Sequence, residues 1–393
     1  LLFFLGTGIW VALSMIGVSS IGMMLFTSRP VGDAMATTMW SMGSSWSLTA
    51  LPLFVWMGEI LFRTKLSENL FKGLSPWLAR LPGGLIHVNI LGCAMFAAIS
   101  GSSAATVATV GKMSIPELRK RNYPERFLLG TLAGSGTLGL LIPPSIILII
   151  YGVTVEESIA KLFIAGIIPG IGLALLFMSY VVIWSLKNKK IMPVISEDFS
   201  FLEKIKKSRQ LLPVILLIFA VIGSIYTGVA TATEAASLGV LGALILSYFQ
   251  NSLTKESFTK SLLGATKTSC MIAFILAGSS FLTLAMAFTG LPKNLAVFID
   301  TFELSPYMLL LVLTLFYIIL GMFLDGISAV VLTMAIIEPM IRQAGFDMIW
   351  FGIYLVIVVE MAQITPPVGF NLFVLQGMAK RDMGFIARSA FPL

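Results

Sequence analysis

Four pairs of prolines recur at one interval. Pro116 and Pro339, Pro143 and Pro366, Pro144 and Pro367, and Pro169 and Pro392 all lie 223 residues apart, so a double proline is repeated intact. The region between them aligns without a gap. Upstream, Leu66, Asn69 and Leu70 return as Leu291, Asn294 and Leu295, two residues out of step. A repeat of this kind constrains architecture before any local signal does. The chain must fold as two equivalent halves. Each half must also accommodate a Pro-Pro step that removes two amide donors and clashes with the preceding turn.

These prolines sit in apolar sequence. Of 393 residues, 57% are hydrophobic and 11% are charged, with a mean hydropathy of +0.96, whereas a soluble domain carries about 25% charged residues. No soluble core buries this much apolar surface, and many runs reach the ~20 apolar residues of a membrane helix. The strict alternation of a membrane β-barrel is absent. The chain therefore reads as an all-α polytopic membrane protein whose solvent is the lipid bilayer.

The net charge of +7 is a topology signal, and no nucleic-acid partner is expected. Lys112 to Arg126 holds five Lys and Arg residues and Lys187 to Arg209 holds seven, which makes both loops cytoplasmic. The mate of the first loop, Arg342 to Met348, carries one Arg and one Asp and reads as extracytoplasmic. One loop inside and its mate outside make an inverted-topology repeat. Secondary transporters use that arrangement, with binding sites at the repeat interface near the midplane.

The halves are expected at 1–186 and 210–393, joined by a cytoplasmic linker at 187–209 that carries Pro193 and a Lys-rich amphipathic piece. Spans are expected at 9–26, 43–62, 126–152, 162–186, 210–231, 233–249, 268–290 and 348–377. Segments 84–120 and 306–343 read as re-entrant helical hairpins, each two apolar arms around a polar, Gly-bearing break. Segments 63–82 and 291–304 mix charge with apolar residues and suit interfacial helices or ordinary loops. The repeat also predicts its own ends. The apolar run 210–228 is mirrored only by Leu1 to Leu5, and Pro392 is followed by one residue where Pro169 opens a span to Trp184. About one helix is expected upstream of Leu1 and a final one after Leu393. Cys93 and Cys270 lie in apolar segments, where no disulfide is expected.

Four breaks carry the candidate chemistry: Ile99 to Thr106, Gly134 to Ser145, Gly321 to Ser328 and Glu360 to Gly369. A helix interrupted by Pro-Pro leaves bare carbonyls, which survive at membrane depth only where they are buried in protein or line a cavity. Carbonyl and hydroxyl oxygens suit a hard cation such as Na⁺. The half-helix after each break presents its N-terminus, which favours an anion. A carboxylate is therefore expected between the hairpin tips, near Ser102, Ser103 and Ser145 on one side and Gln363, Pro367 and Gly369 on the other. Gly- and Ser-rich stretches also serve close helix packing, but two double prolines at mirrored positions call for more than that.

Asp325 is the sharpest single residue: an ionisable group in an apolar arm, beside Gly326, is a functional candidate by default, with a hydrogen-bonded structural Asp as the alternative. Glu360, which lies 223 residues after Thr137, fits a proton or cation ligand and fits a bridge between helices equally. Thr231 to Glu234 matches a capping box. Glu59 ends a span, facing the interface or another helix. His87, the only histidine, reads as interfacial. Enzyme chemistry lacks its parts: there is no His-Glu-x-x-His motif and no Cys/His cluster, no partnered base for a serine nucleophile, and no Walker sequence for ATP.

The motifs resemble those of the large membrane subunit (DctM, or M-subunit, type) of the TRAP (tripartite ATP-independent periplasmic) transporters. The likeness runs in order through Leu51-Pro52-Leu53-Phe54, Gly58-Glu59, Leu81-Pro82-Gly83-Gly84, His87-Val88-Asn89, Ser100-Gly101-Ser102 and Ile142-Pro143-Pro144-Ser145. It continues through Ala165 to Gly170, Thr233-Glu234-Ala235, Gly321 to Asp325 and Thr365-Pro366-Pro367-Val368-Gly369. The resemblance implies an elevator-type importer of the bacterial inner membrane, with transport and scaffold domains, driven by at least two Na⁺ ions. It implies a small four-helix membrane subunit and a periplasmic substrate-binding protein as partners, and an organic acid as substrate. It places one cation site at Ser100, Thr106, Gly139, Ile142 and Pro144, and a second at Gly321, Asp325, Thr365 and Val368. Many relatives carry Asp where this chain has Thr106. A stand-alone Na⁺/dicarboxylate symporter of related hairpin architecture is the alternative.

Overall fold

The computed structural model describes all residues except 65, 194–199, 210, 291–293, 295–304, 367–368 and 393. Among the described residues every regular element is a helix. Four of them are long and apolar enough to cross a membrane: Ile159–Lys187, Ala232–Phe249, Lys255–Thr289 and Gly326–Gln343. Counting bent pairs as single spans raises the number to as many as seven.

Both hairpins are present. The first has arms His87–Ser100 and Ser103–Lys120, and the second has arms Pro306–Gly321 and Gly326–Gln343. Each turn closes with a side-chain cap: Ser102 Oγ accepts from the Ala105 amide and Asp325 Oδ2 from the Ser328 amide. Cap and capped residue in one hairpin lie 223 residues from their counterparts in the other. The first broken helix runs Glu125–Leu141, bends by 41° and resumes as Ile146–Thr154. The second runs Met348–Gln363 and resumes as Phe370–Ala379.

The packing exchanges elements between the halves. The second arm of the first hairpin packs on Phe370–Ala379, and the second arm of the second hairpin packs on Ile146–Thr154. Outside this group, Val11–Phe26 packs along Lys255–Thr289 and Ala50–Phe62 along Ala232–Phe249. The loop ends pair in the same crossed sense. Glu125 accepts hydrogen bonds from Arg119 and Arg381, while Arg342 donates to the Val155 carbonyl at 3.2 Å. Outward faces are apolar: Ile168 is 80% exposed and Phe219 71%. Surfaces of this kind are stable against lipid rather than water.

Several boundaries differ from the expected ones. The span expected at 43–62 continues backward through Val31–Gly43, bent by 56°. The span expected at 268–290 begins at Lys255, giving one helix of 35 residues; a capping box at Thr254 starts it within polar sequence. The linker contains a capped helix, Phe201–Ser208, which docks on Leu66–Leu78 through Trp77, whose indole N–H donates to Ser208 Oγ. The segment expected at 63–82 forms that Leu66–Leu78 helix, and 291–304 lies outside the described residues except for Asn294. His87 is not at a surface. It is fully buried, and its Nε2–H donates to the Pro82 carbonyl at 2.8 Å, because Gly83 turns the chain at φ +101° beneath Val181 and Ser185. Thr231 and Glu234 form the expected capping box.

The first hairpin lies close to the first broken helix because Gly136 has no side chain. A Cβ there would stand 2.0 Å from Val107 Cγ2. Gly136→Ala is expected to destabilise the detergent-solubilised protein by about 1–3 kcal/mol, as overpacking does. Val107→Ala in the same chain should restore part of that loss, since it removes the clashing methyl. Additive losses in thermal unfolding would contradict this packing.

Candidate functional site

The first hairpin tip is built by local chemistry. Its first arm ends at Gly101, whose φ of +59° is open to glycine without strain. The tip then binds directly to the first break: the Ile146 amide donates to the Gly101 carbonyl at 3.2 Å. Glycines permit the approach from both sides. A Cβ on Gly101 would stand 2.7 Å from the Pro144 carbonyl oxygen, and one on Gly139 would stand 2.6 Å from Ser103 Cα and 2.7 Å from the Ser102 carbonyl oxygen. Ser100 Oγ and Thr106 Oγ1 share a hydrogen bond of 3.0 Å within the tip.

Of the residues expected at the first cation site, Ser100, Thr106, Gly139 and Pro144 are brought together. All their available oxygens are neutral hydroxyls or carbonyls, a donor set that suits a hard monovalent cation rather than a transition metal. Among the described residues no group of three or more His, Cys, Asp or Glu side chains could hold a metal. Ile142 ends the helix before the cis Pro143–Pro144 bond, and its side chain packs on Gly170. Ser145 is buried with its hydroxyl committed across the break, donating to the Leu140 carbonyl and accepting from the Leu148 amide.

The second tip packs differently. A Cβ on Gly321 would stand 2.6 Å from the Ala362 side chain, and one on Gly326 2.5 Å from Gln363 Nε2. Gly321, Asp325 and Gln363 are thus near neighbours in space or sequence. Asp325 is half-buried and caps its own helix. Thr365 Oγ1 is turned back onto the Met361 carbonyl at 2.8 Å. Gly369 restarts the chain at φ +50°, close to the Gln363 carbonyl. Val368 and Pro367 lie outside the described residues.

Glu360, which the sequence offers equally as a proton or cation ligand or as a bridge between helices, joins the second broken helix to the first hairpin tip. It is 3% exposed. Its Oε1 accepts a hydrogen bond from Ser103 Oγ at 2.7 Å and one from Gln363 Nε2 at 3.4 Å. A carboxylate of the second half therefore closes on the first hairpin. Ser102, half-buried, and Ser100 line a cavity of about 350 Å³ on the tip's other side, with Gly58, Glu59, Phe96 and Thr268. Gly58 lets its helix approach the tip, since a Cβ there would stand 3.1 Å from Ser100 Cα. Glu59 is paired with Arg63 at 2.9 Å. Gly58 was marked by sequence only as part of a motif and Thr268 not at all; their helices reach this cavity through tertiary packing. A larger depression of about 500 Å³ at Arg119, Glu125 and Arg381 is an open charged surface at helix ends, away from the tips.

This is an arrangement of apolar helices, several of them long enough to cross a membrane. The fold is similar to the solved structure of the Alcanivorax borkumensis YdaH transporter, with a TM-score of 0.64, 13% identity, and coverage of 98% of this chain and 93% of that one. The chain belongs to the DctM family: the model for the tripartite ATP-independent periplasmic transporter, DctM component, matches residues 1–393. It is 33% identical to the C4-dicarboxylate TRAP transporter large permease protein DctM of Pseudomonas aeruginosa, over 96% of this chain and 88% of that protein. It is 30% identical to the sialic acid TRAP transporter large permease protein SiaM of Vibrio cholerae, over 89% and 81%. It is 31% identical to the isethionate TRAP transporter permease protein DctMQ of Oleidesulfovibrio alaskensis, covering 99% of this chain and 61% of that protein.

The close approach at Gly139 gives a direct check. Gly139→Ala should lower stability by about 1–3 kcal/mol and loosen the first tip, read as faster proteolysis after a tag inserted there. Gly172→Ala, where a Cβ meets nothing within 4 Å, should be neutral or slightly stabilising. Equal behaviour of the two would contradict the tip packing.

Proposed function

We propose that this chain is the large transmembrane subunit of a secondary active, Na⁺-coupled importer that carries an organic acid from periplasm to cytoplasm. It works in a bacterial inner membrane with a small membrane subunit and a periplasmic substrate-binding protein. The observation that carries this reading is the meeting of two capped hairpin tips with two broken helices at one place, bridged by Glu360. Bare carbonyls and hydroxyls there offer cation ligands, and the half-helix N-termini beside them suit a carboxylate. The relatives' names, which mention C4-dicarboxylate, isethionate and sialic acid, agree with an acidic substrate.

The halves are read as an inverted repeat. The crossed pairing of loop ends supports it, since the 119–125 loop meets the 379–381 region while Arg342 meets Val155. Movement is read as an elevator. The hairpins and broken helices travel together past a scaffold that includes Val11–Phe26, Ala50–Phe62, Ala232–Phe249 and Lys255–Thr289. Gly58 supports this, because its lack of a side chain lets the scaffold helix Ala50–Phe62 lie close against the hairpin tip at Ser100.

Uptake into liposomes tests the assignment. With the small subunit and binding protein present, an inward Na⁺ gradient should drive accumulation of a carboxylate substrate, and omission of either partner should stop it. Full uptake by this chain alone would make it a stand-alone Na⁺/dicarboxylate symporter instead. Asp325→Ala should abolish Na⁺-driven uptake while costing about 0.5–2 kcal/mol of stability for the lost cap. Asp325→Asn keeps the cap and an oxygen ligand, so it should preserve the fold and weaken coupling. Near-normal uptake of Asp325→Ala with unchanged Na⁺ dependence would remove Asp325 from the site.

A further inference from the structure

We propose that Glu360 is a positioning residue that couples the two cation sites to each other. The inference rests on the importer reading above. Glu360 and Gln363 are three residues apart on one helix and share a face. From Glu360 a hydrogen bond crosses to Ser103, a residue 257 positions away in sequence. Ser103 is clamped between that bond and Gly139 and adjoins Ser102, the cap of the tip that holds Ser100 and Thr106. In the other direction, Gln363 Nε2 lies against Gly326, next to Asp325, and the Gln363 carbonyl lies against Gly369. A continuous path of packed and hydrogen-bonded groups therefore joins the first tip to the second tip and the second break.

The path has no slack. Ser103, Glu360 and Gln363 are all buried, and no side chain could be added at Gly139 or Gly326 without displacing a neighbour. Among the described residues Glu360 Oε2 is enclosed without a hydrogen-bond partner. The carboxyl group is thus held through Oε1 by Ser103 and Gln363, and a shift of Ser103 displaces it. A cation that tightens the Ser100–Thr106 tip repositions Ser103, and Glu360 passes that displacement to Gln363 and the second site. Coupling is reciprocal, so occupancy of either site favours occupancy of the other.

The test is the Na⁺ dependence of uptake by the reconstituted complex, with Na⁺-dependent thermal stabilisation of the same variants as a second readout. Wild type is expected to respond cooperatively. Glu360→Gln keeps an acceptor for Ser103 Oγ and should retain that cooperativity. Glu360→Met keeps the volume and removes the acceptor. It should lose the cooperativity and require more Na⁺ for half-maximal uptake. Gln363→Met cuts the path at its other end and should give the same loss, which covers the case of a Glu360→Met chain that does not fold. Unchanged cooperativity in the Met variants, or a Gln variant as impaired as Glu360→Met, would overturn the proposal. Wild-type uptake that ignores Na⁺ would instead overturn the importer reading itself.

Discussion

The hydrogen bond from the Ile146 amide to the Gly101 carbonyl is a small instance of the constraint on which the whole structure depends. Backbone that is not helical has no water to bind at membrane depth, so the protein must satisfy it internally. The first break meets that demand in three ways: the hairpin tip pairs with it, Ser145 spans it, and the long helix Ile159–Lys187 covers it at Gly166 and Gly170. A hairpin that stops halfway and a helix that breaks halfway are each untenable in lipid. Together they complete one another.

That mutual completion accounts for the glycines at the tips and breaks. Close approaches mark tip against break and hairpin against neighbour at Gly101, Gly136, Gly139, Gly321 and Gly326, and helix against helix elsewhere, as at Gly130, Gly239 and Gly242. Gly6, Gly22 and Gly172, by contrast, face open space. Dense packing around the tips concentrates carbonyls, hydroxyls and one carboxylate in a small buried volume. The features that make the fold possible are therefore the ones that gather polar oxygens at the tips.

Much of this was legible in sequence because proline and its neighbours act locally. Pro143–Pro144 removes amide donors wherever the chain runs, so the break follows from residue identity alone. The capping roles of Ser102 and Asp325 emerged only with the fold. Helix extents were less legible. The helix from Lys255 runs through Lys260 and Lys267, charges that hydropathy reads as loop but that a helix projecting beyond the bilayer carries without cost. The Val31–Gly43 helix was missed because it mixes Thr, Ser and Gly with apolar residues. His87 was placed at an interface because local polarity cannot reveal a helix, Ile159–Lys187, packing over it from 94 or more residues away. The pairing of Glu360 with Ser103 was beyond reach for the same reason: a contact across 257 residues is a property of the fold and not of any window.

The central claim is that the tips and breaks together bind Na⁺. Thermal unfolding of the purified chain, titrated with NaCl against choline chloride at constant ionic strength, tests it most directly. A ligand that binds only the folded state stabilises in proportion to the logarithm of its excess over Kd. The account predicts a saturable rise in unfolding temperature with Na⁺, absent with choline and reduced in Asp325→Asn. Indistinguishable curves in the two salts would contradict it.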